Sequence, residues 1–151
     1  MLRLEPITPE NWRKAVFIST DPAHNCPLDE QWITSSAFSM LQAVYEPQWR
    51  CRLILDDETP VGFAFYGMAE LADWKGPALC RYAIDVDHQG NGYGKAALPL
   101  VAQVIREEFD TPDVYLTLEP SNERAVRLYR GLGFVPAGVE DEGEQLWVLK
   151  G

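Results

Sequence analysis

The sequence predicts an α/β protein in which helices cover the faces of one mixed β-sheet. Three observations predict this fold class. Strand-like and helix-like segments alternate along the chain, short turn sequences separate neighbouring strand candidates, and a hydrophobic strand runs into a glycine-rich turn that opens a helix around residues 84–95. The predicted order is strand, two helices, three strands, helix, strand, helix and two strands.

The N-terminal segment supplies one strand and two helices. Met1–Ile7 alternates as an edge strand does. Thr8 followed by Pro9 is typical of a helix start, which predicts a helix near residues 9–20. Asp21–Pro27 is predicted as a loop, and the apolar spacing of residues 30–44 predicts the second helix.

Three strands follow and lead into the glycine-rich turn. The predicted strands and the two turns between them are Arg50–Leu55, Asp56–Thr59, Pro60–Leu71, Lys75–Pro77 and Ala78–Val86. A long helix is predicted over residues 93–109. Pro99 inside it cannot donate to the carbonyl of Lys95, so a kink is expected there.

The C-terminal third supplies a strand, a helix and a strand pair. Val114–Leu118 is β-branched and alternating, which predicts a strand. Ser121 is predicted to cap a helix over residues 122–132 that ends at Gly131 and Gly133. Phe134–Val139 and Leu146–Leu149 are predicted to pair across an acidic turn.

Length and charge limit the classes of protein. The chain has 151 residues, which predicts a single domain over 1–151. Its net charge of −10 argues against nucleic-acid binding. The charge favours a cationic small molecule or basic peptide as partner if the acidic residues gather near a cleft, and plain solubility is the alternative. No apolar run is long enough for a membrane span and no signal peptide is recognisable, so a cytoplasmic location with no membrane partner is expected.

The cysteines and histidines predict no metal site and no nucleophile. The three cysteines, Cys26, Cys51 and Cys80, have no metal-ligand spacing, and Cys51 and Cys80 lie in apolar segments. They are interpreted as small buried hydrophobic residues. Neither histidine lies beside a nucleophile motif.

The glycine-rich turn is the strongest functional signal. Glycines leave main-chain N–H groups uncovered, and the start of a helix adds its own free donors, so Gln89–Lys95 predicts a diphosphate site. The glycines at 90, 92 and 94 do not have the dinucleotide spacing, and Lys95 lacks the Ser or Thr of a Walker loop. A plain glycine turn is the remaining alternative.

Two sequence motifs carry a family resemblance. They are the run Gln89-Gly90-Asn91-Gly92-Tyr93-Gly94 and the segment Asn122–Phe134. The first matches the Gln/Arg-x-x-Gly-x-Gly/Ala motif of the GNAT family of N-acetyltransferases, and the second is similar to that family's Asn-x-x-Ala-x-x-Leu-Tyr-x-x-x-Gly-Phe element. Asn122, Ala125 and Tyr129 share one helix face by their spacing; a core role for Tyr129 is the alternative.

The resemblance implies a fold, a co-substrate and residue roles. The implied fold is the GNAT fold, a mostly antiparallel mixed sheet of six to seven strands with about four helices. Acetyl-CoA is the implied acetyl donor, with no metal. Its pantetheine is expected to pair with the main chain of Ala83 and Ile84 and its pyrophosphate to bind Gln89, Gly90, Asn91, Gly92, Tyr93, Gly94 and Lys95. Asn122 is expected to contact the cofactor or a water, and Tyr129 to give a proton to the leaving thiolate.

The general base is left open by the sequence. Some family members carry a glutamate five residues before the helix asparagine, where this chain has Thr117. Glu119, two residues on, lies on the same side of an ideal strand and is the chosen candidate, directly or through water. Asp85 and Glu123 are further candidates, and each of these carboxylates has a solvated surface role as the alternative.

The acceptor is predicted to be a primary amine. Val61–Gly67 and Arg81–Asp85 resemble the bacterial diamine and spermine/spermidine acetyltransferases, which implies a polyamine or diamine. A protein N-terminal or lysine acetyltransferase and a non-catalytic acyl-CoA-binding domain are the alternatives. Dimers are common on this fold, so a homodimer is a candidate assembly. The roles of Arg81 and Pro99 stay open.

Overall fold

The protein contains the predicted sequence of helices and strands. A computed structural model describes residues 1–20 and 36–151. In these residues the elements are β1 Leu2–Pro6, α1 Trp12–Val16, α2 Ser36–Tyr45, β2 Trp49–Asp56, β3 Thr59–Leu71, β4 Trp74–Ile84, α3 Tyr93–Phe109, β5 Val114–Leu118, α4 Glu123–Gly131, β6 Val135–Asp141 and β7 Glu144–Leu149. A short 3₁₀ helix, Val86–His88, lies between β4 and α3.

One seven-stranded sheet carries these helices. Its strand order is β1-β2-β3-β4-β5-β7-β6. The ladder between β4 and β5 is parallel and pairs Ala78 with Tyr115 and Leu79 with Leu116. The ladders β1–β2, β5–β7 and β6–β7 are antiparallel. The predicted fold class, a mixed and mostly antiparallel sheet with four helices in the described residues, is therefore confirmed.

The chain forms two compact units. The first comprises Met1–Tyr66 and Arg81–Val101, and the second comprises Gly67–Cys80 and Ala102–Gly151. A single domain over residues 1–151 stays a prediction.

The first unit buries opposite faces of β2 under different helices. Side chains alternate across a strand, so Leu53 and Leu55 face one side while Ile54 faces the other. Leu53 and Leu55 pack in a cluster with Ala15 of α1, and Met40 of α2 packs against the same cluster. Ile54 packs with Ala97 of α3 in a separate cluster.

The second unit has its own buried residues on β5, on β7 and just before β6. Val114, Leu116 and Leu118 alternate with half-buried residues along β5. Trp147 on β7 is 2% exposed and Phe134, just before β6, is fully buried. Because Phe134 closely follows α4, its burial fixes the end of that helix.

Several predicted boundaries are wrong for identifiable reasons. Lys75–Pro77 is not a turn but part of β4, and the turn lies at Ala72–Asp73, where Ala72 has φ 50°. Gly76 is required there by packing, because a Cβ would lie 2.6 Å from the Trp74 ring. Cys80 is exposed rather than buried, whereas Cys51 is buried as predicted.

The first helix is shorter than predicted and begins later, because its N-cap is Asn11 and not Thr8. Thr8 Oγ1 accepts from the N–H of Asn11 at 3.2 Å, and Asn11 Oδ1 accepts from the N–H of Thr8 at 2.8 Å, as in a capping box. The α-helix itself spans Trp12–Val16. The loop Asp21–Pro27 and residues 30–35 of the second predicted helix lie outside the described residues.

Candidate active site

The glycine-rich turn joins β4 to α3 through two left-handed glycines. Gly90 has φ +82° and Gly92 has φ +81°, a region that residues with a Cβ rarely adopt. Among the residues that the structure describes, a Cβ at either position would meet no atom within 4 Å beyond the adjacent residues of the chain. Backbone conformation, rather than lack of space, therefore requires glycine at 90 and 92.

The turn presents a run of main-chain donors. Within residues 1–20 and 36–151, the N–H groups of residues 90–95 donate no hydrogen bond, and the first bond of the helix runs from Ala96 N–H to the Gly92 carbonyl at 3.1 Å. These donors lie at the N-terminus of a 17-residue helix, where the helix dipole is positive. This arrangement suits a phosphate or diphosphate group.

The polar side chains of the turn bond back to the turn itself. Gln89 Nε2 donates to the Ile84 carbonyl at 3.0 Å, and Asn91 Nδ2 donates to the His88 carbonyl at 3.1 Å. The side chains of Gln89 and Asn91, both predicted to bind the cofactor, thus shape the turn. Asn91 also offers its main-chain N–H to an anion, whereas the N–H of Gln89 donates to the Val86 carbonyl at 3.5 Å. Lys95 is exposed at the same end of α3.

The end of β4 is held closely against β3. The N–H of Asp85 donates to the Val61 carbonyl at 2.8 Å. A Cβ on Gly62 would lie 2.7 Å from the Ala83 carbonyl oxygen, so glycine is required by this close approach. Ala83 and Ile84, the residues predicted to pair with pantetheine, therefore sit on a strand end whose position depends on Gly62.

Tyr129 is positioned by the C-terminal cap of α4. The N–H of Gly133 donates to the Arg130 carbonyl and the N–H of Phe134 donates to the Tyr129 carbonyl, at 3.1 and 3.0 Å. With Gly133 at φ +100°, these are the two bonds of a Schellman motif. The ring of Phe134 meets the Tyr129 ring edge-on at 5.7 Å between centroids. The Tyr-x-x-x-Gly-Phe pattern thus encodes the cap that fixes the tyrosine.

The phenol of Tyr129 has a raised pKa and is protonated near neutral pH. Burial raises its pKa to about 12. No hydrogen-bond partner of its hydroxyl is found in the part of the chain that the structure describes. A neutral donor without a partner is suited to interact with a developing anion.

Asn122 caps α4, a function that the sequence assigned to Ser121. Its side chain accepts from the N–H of Ala125 at 3.2 Å, and the helix begins at Glu123. The prediction of Ser121 as the cap is wrong, because Asn122 is the residue whose oxygen reaches the third amide of the helix. Contact of Asn122 with a cofactor or water stays a prediction.

The carboxylate candidates for the base differ in their surroundings. Asp85 accepts from the N–H of Ser19 at 3.1 Å and from the N–H of Asp87 at 3.3 Å, so it has a structural task. Glu119 follows the last residue of β5 and is exposed. Glu123 is exposed in the first turn of α4. Glu119 and Glu123 are therefore the two candidates for which no structural task is found among the described residues.

Arg81 has structural contacts within the first unit. Its guanidinium lies 4.4 Å from the ring centroid of Phe65 and 5.5 Å from that of Phe38. It also donates to Ser39 Oγ at 3.0 Å. These contacts tie β4 to α2 and favour a structural role for Arg81, whose role the sequence left open.

An apolar cleft of about 630 Å³ lies in the first unit between α1, α2 and the adjoining strand ends. Trp12, Met40 and Leu41 line it together with Cys51 and Arg52. Burial raises the pKa of the Cys51 thiol to about 12, so this sulfur is not a reactive thiolate near neutral pH. The described lining has none of the carboxylates that would attract a polycation.

The described residues, 1–20 and 36–151, offer neither a metal-binding cluster nor a membrane span. No group of three or more His, Cys, Asp or Glu side chains there is arranged to hold a metal ion. In the same residues, no helix combines the length and the apolarity that crossing a membrane requires.

The fold and the turn define an α/β protein with a main-chain anion site at a strand-to-helix junction. The chain belongs to the Acetyltransferase (GNAT) family, whose model matches residues 10–134. The family assignment made from the two sequence motifs is thereby confirmed. Both motifs lie within the matched residues.

Parts of the chain are similar to two curated relatives. The spermine/spermidine N(1)-acetyltransferase of Bacillus subtilis (strain 168) is 36% identical over 97 residues, which cover 58% of this chain and 61% of the relative. The mycothiol acetyltransferase of Kineococcus radiotolerans is 34% identical over 95 residues, which cover 63% of this chain and 30% of the relative. The matches thus span less than two thirds of either relative.

The fold is also found in solved structures. The spermidine N-acetyltransferase of Vibrio cholerae, solved in complex with CoA and spermine, superposes with a TM-score of 0.66 over 97% of this chain and 92% of that chain, at 15% identity. At this identity the likeness supports the fold alone. It agrees with the mixed α/β architecture described above.

Proposed function

We propose that the protein is an acetyl-CoA-dependent N-acetyltransferase that acetylates a primary amine. The observation that carries this proposal is the row of main-chain N–H groups at residues 90–95, at the start of α3, which donate to no group in the described part of the chain. Because the chain belongs to the acetyltransferase family, the anion proposed to bind these donors is the pyrophosphate of acetyl-CoA. Main-chain donors suit a chain of net charge −10, because they bind an anion without basic side chains.

The proposed acceptor is a polyamine or diamine. The relative named as a spermine/spermidine N(1)-acetyltransferase supports this choice. The chain's net charge of −10 supports it as well, because an acidic surface attracts polycations and raises their encounter rate. The apolar cleft beside α1 and α2 is not the proposed amine site, since its described lining is apolar apart from Cys51 and Arg52.

The residues proposed to hold acetyl-CoA are Ala83, Ile84 and the turn Gln89–Lys95. Acetyl-CoA supplies the activated acetyl thioester when bound. The turn orients it by hydrogen bonds from main-chain N–H groups to the pyrophosphate, and the end of β4 offers main-chain groups to the pantetheine arm. Asn122 is proposed to contact the cofactor or an ordered water.

Tyr129 is proposed to serve the leaving sulfur. Its pKa of about 12 keeps the proton on Oη at every physiological pH. An alkyl thiol such as that of cysteine has a pKa of about 8.5, so complete transfer of this proton to a free thiolate is uphill. Its first effect is therefore a hydrogen bond to the sulfur as negative charge develops there, and full proton donation is the second possibility.

Glu119 is proposed to receive the proton of the attacking amine through a water. An amine attacks in its neutral form, so a base must take its proton near neutral pH. The exposed position of Glu119 makes a bridging water the favoured route. Asp85, whose carboxylate accepts main-chain N–H groups, is the weaker candidate.

The test combines calorimetry with an amine panel. Purified protein is titrated with CoA, and acetylation of spermidine, spermine, putrescine, peptide N-termini and peptide lysines is then followed by CoA release. CoA binding with turnover of polyamines supports the proposal in full. If only peptides are acetylated, the acceptor is a protein N-terminus or lysine and not a polyamine. If CoA binds without any turnover, the protein is an acyl-CoA-binding domain. A homodimer and a cytoplasmic location stay predictions, which the mass in solution and cell fractionation test.

A further inference from the structure

Two tyrosine side chains form hydrogen bonds that hold the first residues of α3, in addition to the hydrogen bonds within the glycine turn. Tyr93 Oη donates to Asp56 Oδ2 at 2.6 Å, across 37 positions of sequence. Tyr82 Oη donates to the Gly94 carbonyl at 2.8 Å. Consecutive residues of the first helical turn are thus tied to the end of β2 and to β4.

The turn before them is held by the side-chain hydrogen bonds of Gln89 and Asn91 but has no packing around its left-handed glycines. Among the described residues, no atom beyond the adjacent chain lies within 4 Å of the Cβ positions at Gly90 and Gly92. An anion site made of main-chain N–H groups binds well when those groups are held in place before the ligand arrives. The geometry of the site therefore depends also on its flanks, and the downstream flank is the first turn of α3.

We propose that Asp56 is a positioning residue for the cofactor, which aligns the N–H groups at the start of α3 by holding Tyr93. This inference depends on the proposed binding of acetyl-CoA by the turn. Asp56 is assigned no contact with the ligand and acts through the phenol of Tyr93. The distance of 2.6 Å is typical of a hydroxyl that donates to an ionised carboxylate.

The ionisation of both groups supports a charge-assisted bond. The hydrogen bond from Tyr93 lowers the pKa of the Asp56 carboxyl, and the same bond raises the pKa of Tyr93. Asp56 also accepts from the Met1 ammonium at 3.1 Å. Asp56 is therefore ionised. Because it lies near a site for a polyanion, its negative charge by itself would weaken binding of the ligand.

The negative charge of Asp56 and its bond to Tyr93 have opposite expected effects on CoA binding. Whether a substitution at Asp56 strengthens or weakens CoA binding therefore shows which of the two dominates. If the negative charge dominates, neutralising Asp56 tightens CoA binding. If the hold on Tyr93 dominates, removing Asp56 weakens it. Asp57 is a matched control, because it also accepts from Met1, at 2.8 Å, and has no hydrogen bond with Tyr93 among the described residues. Its φ of 52° is tolerated by asparagine.

The experiment measures CoA affinity by calorimetry for Tyr93→Phe, Asp56→Ala, their double variant, Asp56→Asn and Asp57→Asn. We expect Tyr93→Phe and Asp56→Ala each to weaken binding roughly tenfold, the loss of about one moderate hydrogen bond, and the double variant to be no weaker than either. Asp56→Asn keeps an acceptor for Tyr93 and is expected to recover part of the loss. Asp57→Asn is expected to match the wild type or bind slightly more tightly.

Steady-state kinetics supply a readout that a general loss of structure does not give. The variants that lose the Tyr93 contact are expected to raise KM for acetyl-CoA while kcat at saturation stays within about twofold of the wild type. Thermal unfolding identifies any variant that fails to fold, and the charge-neutral Tyr93→Phe then still tests the inference.

The outcomes separate this inference from the proposed function. If wild-type protein binds CoA and Tyr93→Phe binds it equally well, the positioning role is overturned and the proposed function stands. Tighter binding by both Asp56→Ala and Asp57→Asn also overturns it, in favour of charge alone. If the wild type does not bind CoA, the proposed function itself has failed.

Discussion

Replacing Gly92 by alanine tests whether the conformation of the turn creates the anion site. Gly92 has φ +81°, and its Cβ position is free of atoms within 4 Å, so alanine adds backbone strain and no collision. Gly138 in β6 has φ +83° and an equally open Cβ position, far along the chain from the turn. Gly138→Ala is therefore a control matched in strain and in free space.

The two substitutions should cost similar stability. Holding a residue with a Cβ in the left-handed region costs roughly 1–2 kcal/mol. For a domain of about this size, each kcal/mol lowers the melting temperature by about 2–4 °C. We therefore expect both variants to melt a few degrees below the wild type, as scanning calorimetry measures directly.

CoA affinity should separate the two variants. In Gly92→Ala, the backbone at position 92 relieves its strain by rotating toward negative φ, which turns main-chain N–H groups away from the ligand. Loss of one hydrogen bond to a charged group costs about 1.5–3 kcal/mol, which weakens binding roughly 10- to 150-fold. Gly138→Ala should bind CoA as the wild type does. Gly94→Ala should also retain binding, because Gly94 has no positive φ and its Cβ would meet Ile84 at an ordinary 3.9 Å.

Titration calorimetry with CoA is the deciding assay. If Gly92→Ala and Gly138→Ala lower the melting temperature by the same amount and bind CoA with the same affinity, the amides of the turn do not hold the ligand. The proposed function then loses the observation that carries it. If only Gly92→Ala binds weakly, the contribution of the turn is measured directly.

Three further outcomes follow from single side chains. Gly62→Ala places a Cβ 2.7 Å from the Ala83 carbonyl, so we expect a stability loss of about 1–3 kcal/mol and a raised KM for acetyl-CoA; an unchanged KM would remove Ala83 from the binding site. Tyr129→Phe should lower kcat with little change in CoA affinity, and an unchanged kcat would leave this tyrosine a core residue. Iodoacetamide at pH 8 should modify exposed Cys80 and spare Cys51, whose pKa burial raises to about 12; peptide mass spectrometry of native and unfolded protein checks both sites.

Local sequence chemistry predicted several elements of the second half of the chain. The long helix Tyr93–Phe109 and the strand Val114–Leu118 have the predicted bounds. Both have strong local patterns, a glycine turn before the helix and alternating β-branched residues in the strand. The Tyr-x-x-x-Gly-Phe pattern is equally local, because a Schellman cap joins residues only a few positions apart.

Side-chain contacts made by the folded chain were not predictable in the same way. The bond from Tyr93 to Asp56 spans 37 positions, and no local pattern marks Asp56 as a partner of the helix. Gly76 was interpreted as a turn residue because it precedes Pro77, whereas packing of the Trp74 ring requires glycine inside β4. In both cases the determining partner is a side chain whose position only the folded chain supplies. Periodicity and turn preferences carry no information about it.

The charge of the chain leads to opposite salt responses for its two proposed substrates. A net charge of −10 repels CoA, and the N–H donors at residues 90–95 are dipoles whose hydrogen bonds are short-ranged and weakly screened. Raising the ionic strength to about 0.3 M shortens the Debye length below about 8 Å, so it should weaken the repulsion more than the attraction. We therefore expect KM for acetyl-CoA to stay level or fall with added salt, while KM for spermidine rises because its attraction to the acidic protein is screened. A KM for acetyl-CoA that rises steeply with salt, measured at saturating amine, would show that basic side chains such as Lys95 hold the nucleotide and that the main-chain donors are secondary.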